Sequence, residues 1–321
     1  MPTFDFSELN PNLILDAIES VGIIVDSGLL ALNSYENRVY QLIAEDKKRY
    51  VVKFYRPQRW SEQQILEEHS FSIELAEHEI PVVAPLIIAG KSLHHYQGYY
   101  FAVFPSVGGR QFEVDNLDHI EWMGRFIGRI HAVAKSSDFI YRPPLSIEEH
   151  LNAPLVELAQ STLIPDYLHS AFFTILQQVV DVTKQRYTSQ DNIRLHGDCH
   201  PGNILWRDGP TFVDLDDCRS GPAVQDLWMM LSGDRTQQSL QMSVLVEAYE
   251  EFTEFDSKQL HLIEPLRAMR MIHYMAWLSK RWQDPAFPQA FPWFADDKYW
   301  EQQILSLKEQ FSALQEPQIT I

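Results

Sequence analysis

Asp198 and Asn203 stand five residues apart in this chain, and Asp214 opens an acidic cluster that also holds Asp216 and Asp217. A carboxylate held in a tight loop can accept a proton from an attacking hydroxyl and keep that hydroxyl in line with a phosphate. An amide oxygen and a second carboxylate suit Mg²⁺, which takes a few oxygens from protein and completes its shell with phosphate and water. The chemistry that needs this trio is phosphoryl transfer. Asp198 and Asp214 are the candidate catalytic residues, and Asn203 and Asp214 are the candidate metal ligands. Asp216 competes for the metal role, since in a strand it would share a face with Asp214.

The residues around the trio explain how it could assemble. Gly197, Pro201 and Gly202 make a helix or continuous strand through Asp198 unfavourable, which leaves a loop. Apolar runs at 204–206 and 211–213 flank Arg207-Asp208-Gly209-Pro210 and read as a hairpin whose open end brings Asn203 beside Asp214. His196, Cys199 and His200 invite a zinc reading, but two histidines four apart need one helix face, which the same Gly and Pro oppose. Upstream, Lys53 sits between Val52 and Phe54 in an apolar run, a placement suited to a lysine that holds phosphates. The next helix offers Glu67 and Glu68 as partners. Glu68 shares a helical face with Phe71 and Leu75, so it points inward. Between the first two strands lies a turn containing Ser34, which can contact phosphate or simply form the turn.

The elements that must carry these residues divide into two regions. A short helix near 11–20 precedes β-type runs at 23–32, 39–44 and 50–55, a helix at 61–79 with Ser61 as its N-cap, and further strands at 83–89 and 99–104. Pro105-Ser106-Val107-Gly108-Gly109 breaks the pattern. Beyond it helices are expected at 117–133, 165–187, 223–231, 237–252 and 258–282, with a Pro- and aromatic-rich tail after Asp284 as an ordered wrap. The division is residues 1–104 for a nucleotide lobe, 105–110 for a connector and 111–321 for a catalytic and acceptor lobe. The 321 residues suffice for such a unit, and the net charge of −18 disfavours a nucleic-acid partner. Two cysteines rule out a disulfide framework. No signal peptide or membrane span is read, so a cytoplasmic monomer without a membrane partner is expected. Tyr274, Trp277, Trp282, Trp293 and Trp300 could cage a cationic acceptor, though aromatics at this spacing are more often core.

The motif His196-Gly197-Asp198 with His200 and Asn203, a later strand ending at Asp214, and Gly221-Pro222 followed by Asp226-Leu227 together resemble the aminoglycoside phosphotransferase and choline kinase superfamily. The segments 32–40, 101–112, 195–231 and 264–282 resemble its bacterial Ser/Thr protein kinase branch more closely still. The resemblance implies an α+β, bilobal, protein-kinase-like fold: an N-terminal β-sheet lobe with one inserted helix and a larger, mainly helical C-terminal lobe. It implies ATP and Mg²⁺ as cofactors and protein substrates with Ser/Thr acceptors. By the same resemblance Asp198 is the base, Asn203 and Asp214 bind magnesium, Ser34 touches ATP, and Lys53 with Glu68 clamps its phosphates. Phe104 and Ser106 belong to the segment beside adenine, and Asp226 ties the catalytic loop to the next helix. Neither a Gly-rich phosphate loop nor a D-F-G motif is present, which separates the chain from ordinary protein kinases.

Overall fold

The computed structural model describes residues 5–188 and 191–321. Helix α1 (Pro11–Glu19) starts at Asn10, whose side chain accepts from the amides of Asn12 and Leu13. It lies on an antiparallel sheet of five strands: β1 (Leu30–Ala31), β2 (Arg38–Ile43), β3 (Arg49–Phe54), β4 (His94–Tyr96) and β5 (Tyr99–Pro105), ordered β1-β2-β3-β5-β4. Strand alternation divides the work. Val52, Phe54, Phe101 and Val103 pack with Ile14, Ala17 and Ile18 of α1. Val51 and Lys53, on the other face, are left to line a cleft. Helix α2 (Glu62–Glu77) carries a complete capping box between Ser61 and Gln64, and its Ile65 meets Tyr55 and Ala102 on that second face.

Of two further expected strands, one is reduced to β1 and the other is not a strand. The run 23–32 reaches the sheet only through a Val25–Ala44 bridge and the two residues of β1, because Ser27 and Gly28 interrupt it. The run 83–89 is an extended strap rather than a strand. The Val83 amide donates to Phe212 of the second lobe and the Leu86 amide to Val103 of the first, at 2.9 and 2.7 Å. Pro81 and Pro85 lack the amides a full ladder would need.

The second lobe is helical. It comprises β6 (Arg110–Gln111), α3 (Leu117–Ala134), a π turn (Glu148–Asn152) running into α4 (Ala153–Gln160), α5 (His169–Arg186), β7 (Ile193–Leu195), β8 (Ile204–Trp206) and β9 (Pro210–Phe212). These are followed by β10 (Arg219–Gly221), α6 (Gln225–Trp228), α7 (Arg235–Tyr249), α8 (Ile263–Arg281), α9 (Ala286–Ala290) and α10 (Asp297–Ala313). The helix expected at 223–231 contracts to α6, and the one expected at 258–282 begins with a 3₁₀ segment over Ser257–Leu262. Helix α10 was hidden in what reads as a wrap. Its Trp300, Ile304 and Leu307 are buried and follow helical spacing, and Trp300 meets Phe172 of α5 edge-on at 5.4 Å. Gly124 and Gly128 let α3 sit directly on α7, since a Cβ at Gly128 would lie 2.6 Å from the Tyr249 carbonyl oxygen. No helix of the described residues is long and apolar enough to cross a membrane.

Candidate active site

The site is built inside one excursion of the chain. Strands β7 and β10 pair antiparallel, Leu195 opposite Arg219, so everything from His196 to Cys218 leaves and returns at one place. Within it β8 and β9 form the expected hairpin, Ile204 opposite Phe212, and the Val213 amide donates to the Asn203 carbonyl at 3.1 Å. Asn203 and Asp214 are therefore neighbours. Asp226 accepts from the amides of His196 and Gly197 at 2.8 and 2.9 Å and faces His131 Nε2 at 3.1 Å, which fixes the start of the Asp198 loop. Gly197 has φ of 85°, and a Cβ there would collide with the Asp217 carbonyl, so the two halves of the excursion close on each other only with glycine. The His196 ring faces the Val213 carbonyl while His200 Nδ1 takes the Gly202 amide, so the two histidines serve separate backbone groups.

Two cavities meet at this excursion. One, of about 450 Å³, has walls of Leu32, Val39, Val51, Val83, Leu205 and Leu215 and is also lined by Phe104, Ser106 and Lys53. The Ser106 hydroxyl accepts from Gln41 Nε2 at 2.7 Å. The other, of about 370 Å³, holds Asp198, His200, Arg219, Arg270, Tyr274 and Trp277. Asn33, Ser34, Asn203 and Asp214 line both. Ser34 is thus at the junction, its hydroxyl 3.5 Å from the Asn37 carbonyl oxygen.

Lys53 is buried among three carboxylates: Asp216 at 3.0 Å, Asp214 at 3.1 Å and Glu68 at 3.5 Å. Burial opposes its charge, but Asp216, Glu68 and Asp214 together hold its pKa well above the usual lysine value. Glu68 spends its second oxygen on Arg142 at 3.0 Å, and Arg142 also donates to the carbonyl of Asp216 at 2.5 Å. Glu67 does something different: it accepts from the amides of Ile140, Tyr141 and Arg142, holding that segment against α2. Asp214 and Asp216 do not share a strand face. Asp214 is left-handed, with φ of 61°, and the chain then turns through a 3₁₀ segment at Leu215–Asp217. This separates them: the Asp214 side chain is 52% exposed toward the cavities, whereas that of Asp216 is 5% exposed and ion-paired with Lys53 and Arg59.

A divalent cation fits here by three observations. Asp214 faces the junction, and Asn203 turns its amide nitrogen to the Asp198 carbonyl at 3.0 Å, leaving its amide oxygen without a donor among the described residues. The buried Asp216 Oδ1 receives no aligned hydrogen bond, although Lys53 Nζ is 3.0 Å away. Asp198 lines the second cavity, with Oδ2 3.4 Å from both His200 Nε2 and Asn203 Nδ2 and Oδ1 paired with Arg270. Burial would raise its pKa, but His200 and Arg270 hold it well below the usual carboxylate range.

The arginines went unread in the sequence. Arg59 pairs with Asp216 and with Asp217 at 2.7 Å, and Arg219 pairs with Glu149 at 3.0 Å. Arg38 and Arg56 both hold Asp284, while Glu36 holds Arg281 and accepts from Trp277 Nε1 at 2.6 Å, so the turn after β1 is tied to α8 and its end. The only advance signal is that Arg56 and Arg59 follow the Lys53 strand. Of the five aromatics, Tyr274 and Trp277 line the second cavity; Trp282, Trp293 and Trp300 pack with Phe294 and form no cage with them.

Next to Glu68, His69 is held neutral between the Tyr55 hydroxyl at 2.7 Å and the Ser92 hydroxyl at 2.9 Å. Burial, then Lys53 and Arg142, lower its pKa from 6.5 to about 3. The unfolded chain therefore binds a proton in the window between those values that the folded chain refuses, and stability falls as pH drops from 6.5 toward 3. His69→Gln is expected to flatten urea midpoints between pH 6.5 and 5, removing up to about 1.4 kcal/mol of slope per pH unit. An unchanged slope would refute the neutral, buried assignment.

The sequence profile of the phosphotransferase enzyme family matches residues 29–263. The chain belongs to that family. Stress response kinase A of Escherichia coli strain K12 is 53% identical over 319 residues, covering 99% of this chain and 97% of the relative. The serine/threonine protein kinase RdoA of Salmonella typhimurium strain LT2 is 52% identical with the same coverage. Among solved structures, the amicoumacin kinase hAmiN in complex with AMP-PNP, Ca²⁺ and Ami aligns with a TM-score of 0.74 at 20% identity, over 97% of this chain and 95% of that one. A microcompartment-associated aminopropanol kinase aligns at 0.72 and 15%, over 95% and 98%. These likenesses establish the protein-kinase-like phosphotransferase fold, with a sheet-rich N-terminal region and a helical C-terminal region, and a kinase as the enzyme class.

Proposed function

We propose that this phosphotransferase is an ATP- and Mg²⁺-dependent Ser/Thr protein kinase, able to label its own hydroxyls, with residues 1–104 as nucleotide lobe, 105–110 as connector and 111–321 as catalytic lobe. The observation that carries the proposal is the meeting of two cavities at Asn203 and Asp214, with Lys53 lining one and Asp198 the other. In this reading the apolar walls with Phe104 and Ser106 receive the adenine, Ser34 lies over the phosphates, and Lys53, oriented by Glu68, pairs with them. Asn203 and Asp214 would hold Mg²⁺, which when bound neutralises phosphate charge. Among the described residues no three His, Cys, Asp or Glu are arranged to hold a metal alone, so two protein oxygens need phosphate oxygens to complete the shell. Asp198 takes the acceptor proton as the hydroxyl oxygen bonds to the γ-phosphorus and ADP leaves with the electron pair of the broken bond. Alignment and charge neutralisation supply most of the rate. Protein acceptors are supported by two relatives at 52–53% identity over nearly the whole chain, one named a serine/threonine protein kinase and the other a stress response kinase.

A second reading, transfer to a small alcohol, is favoured by one observation: the acceptor cavity is lined by residues 33–37 of the tied turn and by Tyr274 and Trp277. Labelled ATP with Mg²⁺, offered to a general protein substrate and separately to a library of small alcohols, tests the pair of readings. Protein labelling is expected to dominate. Turnover of an alcohol far above protein labelling would replace the first reading with the second.

A further inference from the structure

Three arginines line the acceptor cavity and the chemistry above uses none of them; Arg59 and Arg219 are each held by two or more carboxylates that are not catalytic, which leaves Arg270. Arg270, on α8, is 43% exposed, and among the described residues its hydrogen bonds go to Asp198 Oδ1 alone. The other oxygen of Asp198 faces Asn203 and His200. An acceptor hydroxyl approaching Asp198 therefore meets the oxygen that Arg270 holds. The remaining carboxylates lining this cavity are already paired: Glu36 with Arg281, Asp214 with Lys53, Asp216 with Lys53 and Arg59, and Asp217 with Arg59 and Arg219. Moved off Asp198, the guanidinium finds no unpaired anion of the chain within the cavity. Arg270 lines the acceptor cavity and not the nucleotide cavity, so the anion it meets is one that the acceptor brings. Guanidinium pairs with carboxylate or phosphate are planar, charge-assisted and geometrically selective, which suits such an exchange.

We propose that Arg270 is an acceptor-selecting residue: an anionic group beside the acceptor hydroxyl draws it from Asp198 Oδ1, which anchors the acceptor and frees the oxygen together. The inference rests on the phosphotransfer reading and names its acceptor class, a serine or threonine flanked by acidic or phosphorylated residues.

The test compares kcat/KM for short serine peptides that differ only in flanking Asp, phosphoserine, Ala or Lys, using the full chain and its Arg270→Glu and Arg270→Lys variants. The wild type is expected to favour the Asp-flanked or phosphoserine-flanked peptide over the Lys-flanked one by at least about tenfold. Whichever of the two is faster identifies the anion. Arg270→Glu reverses the order and Arg270→Lys restores it. Equal rates on Asp and Lys flanks, an order unmoved by Arg270→Glu, or a change confined to KM for ATP overturns the assignment. Should only small alcohols turn over, protein acceptance fails but the comparison is repeated with a hydroxy acid and an amino alcohol, and preference for the latter overturns it. Transfer to no acceptor at all removes the phosphotransfer reading itself.

Discussion

Asp198→Asn is expected to lower the single-turnover rate of phosphoryl transfer by about 10²–10⁴-fold, the range a positioned general base supplies. The substitution is nearly isosteric and keeps an oxygen within reach of Asn203 and His200, so the loop pinned by Asp226 keeps its shape. What disappears is the proton acceptor and the counter-charge to Arg270. Asp198 lines the acceptor cavity but not the nucleotide cavity, so the melting-temperature rise produced by Mg·ATP survives. The two measurements belong together. A loss of less than tenfold, or an equal loss of nucleotide stabilisation, would place Asp198 in structure rather than chemistry.

Lys53→Met is expected to have the largest effect on stability. The lysine is buried with two buried carboxylates, Glu68 and Asp216, and the half-exposed Asp214. Truncating one member of a buried ionic set leaves the others uncompensated and costs about 3–5 kcal/mol. Glu68→Gln is expected to be milder. Lys53 keeps Asp214 and Asp216, and the buried Arg142, which loses its ion pair, keeps the carbonyls of Gln64 and Asp216. Urea unfolding reads the difference, and nucleotide-induced stabilisation vanishes in the methionine variant alone. Similar midpoints for wild type and Lys53→Met would mean that Arg59 and Arg142 neutralise the cluster without it.

The catalytic excursion was legible because its information is local. Gly197 and Pro201 exclude a helix, Arg207 to Pro210 specify a hairpin, and a hairpin brings Asn203 to Asp214 whatever the rest of the chain does. Glu68 was legible through helical period alone. The sequence leaves Asp216 as a competitor to Asp214 because its environment is not local: Asn37, Arg59 and Arg142 arrive from the other lobe and from the segment held by Glu67. The sequence does not mark Arg270 for the same reason, since only the packing of α8 against the loop brings it to Asp198. The runs 83–89 and 23–32 read as strands because β-propensity describes a half-buried surface, which 83–89 finds without joining a ladder and 23–32 finds with only Leu30 and Ala31 in one. Helix α10 is masked in the sequence by the Pro and aromatic composition before it, although Trp300, Ile304 and Leu307 keep a helical period.

The left-handed backbone at Asp214 has an evolutionary consequence. Of the coded residues, glycine, asparagine and aspartate enter that conformation readily. Other side chains occupy the same region elsewhere in this chain, at Lys47, Gln58 and Glu79, but at greater cost, so a lineage drifting at this position is biased toward three choices, one of which removes the side chain and another its charge. Loss of activity can arise here in a single step without loss of fold. A descendant that has given up chemistry while keeping its partners would carry its record at this residue.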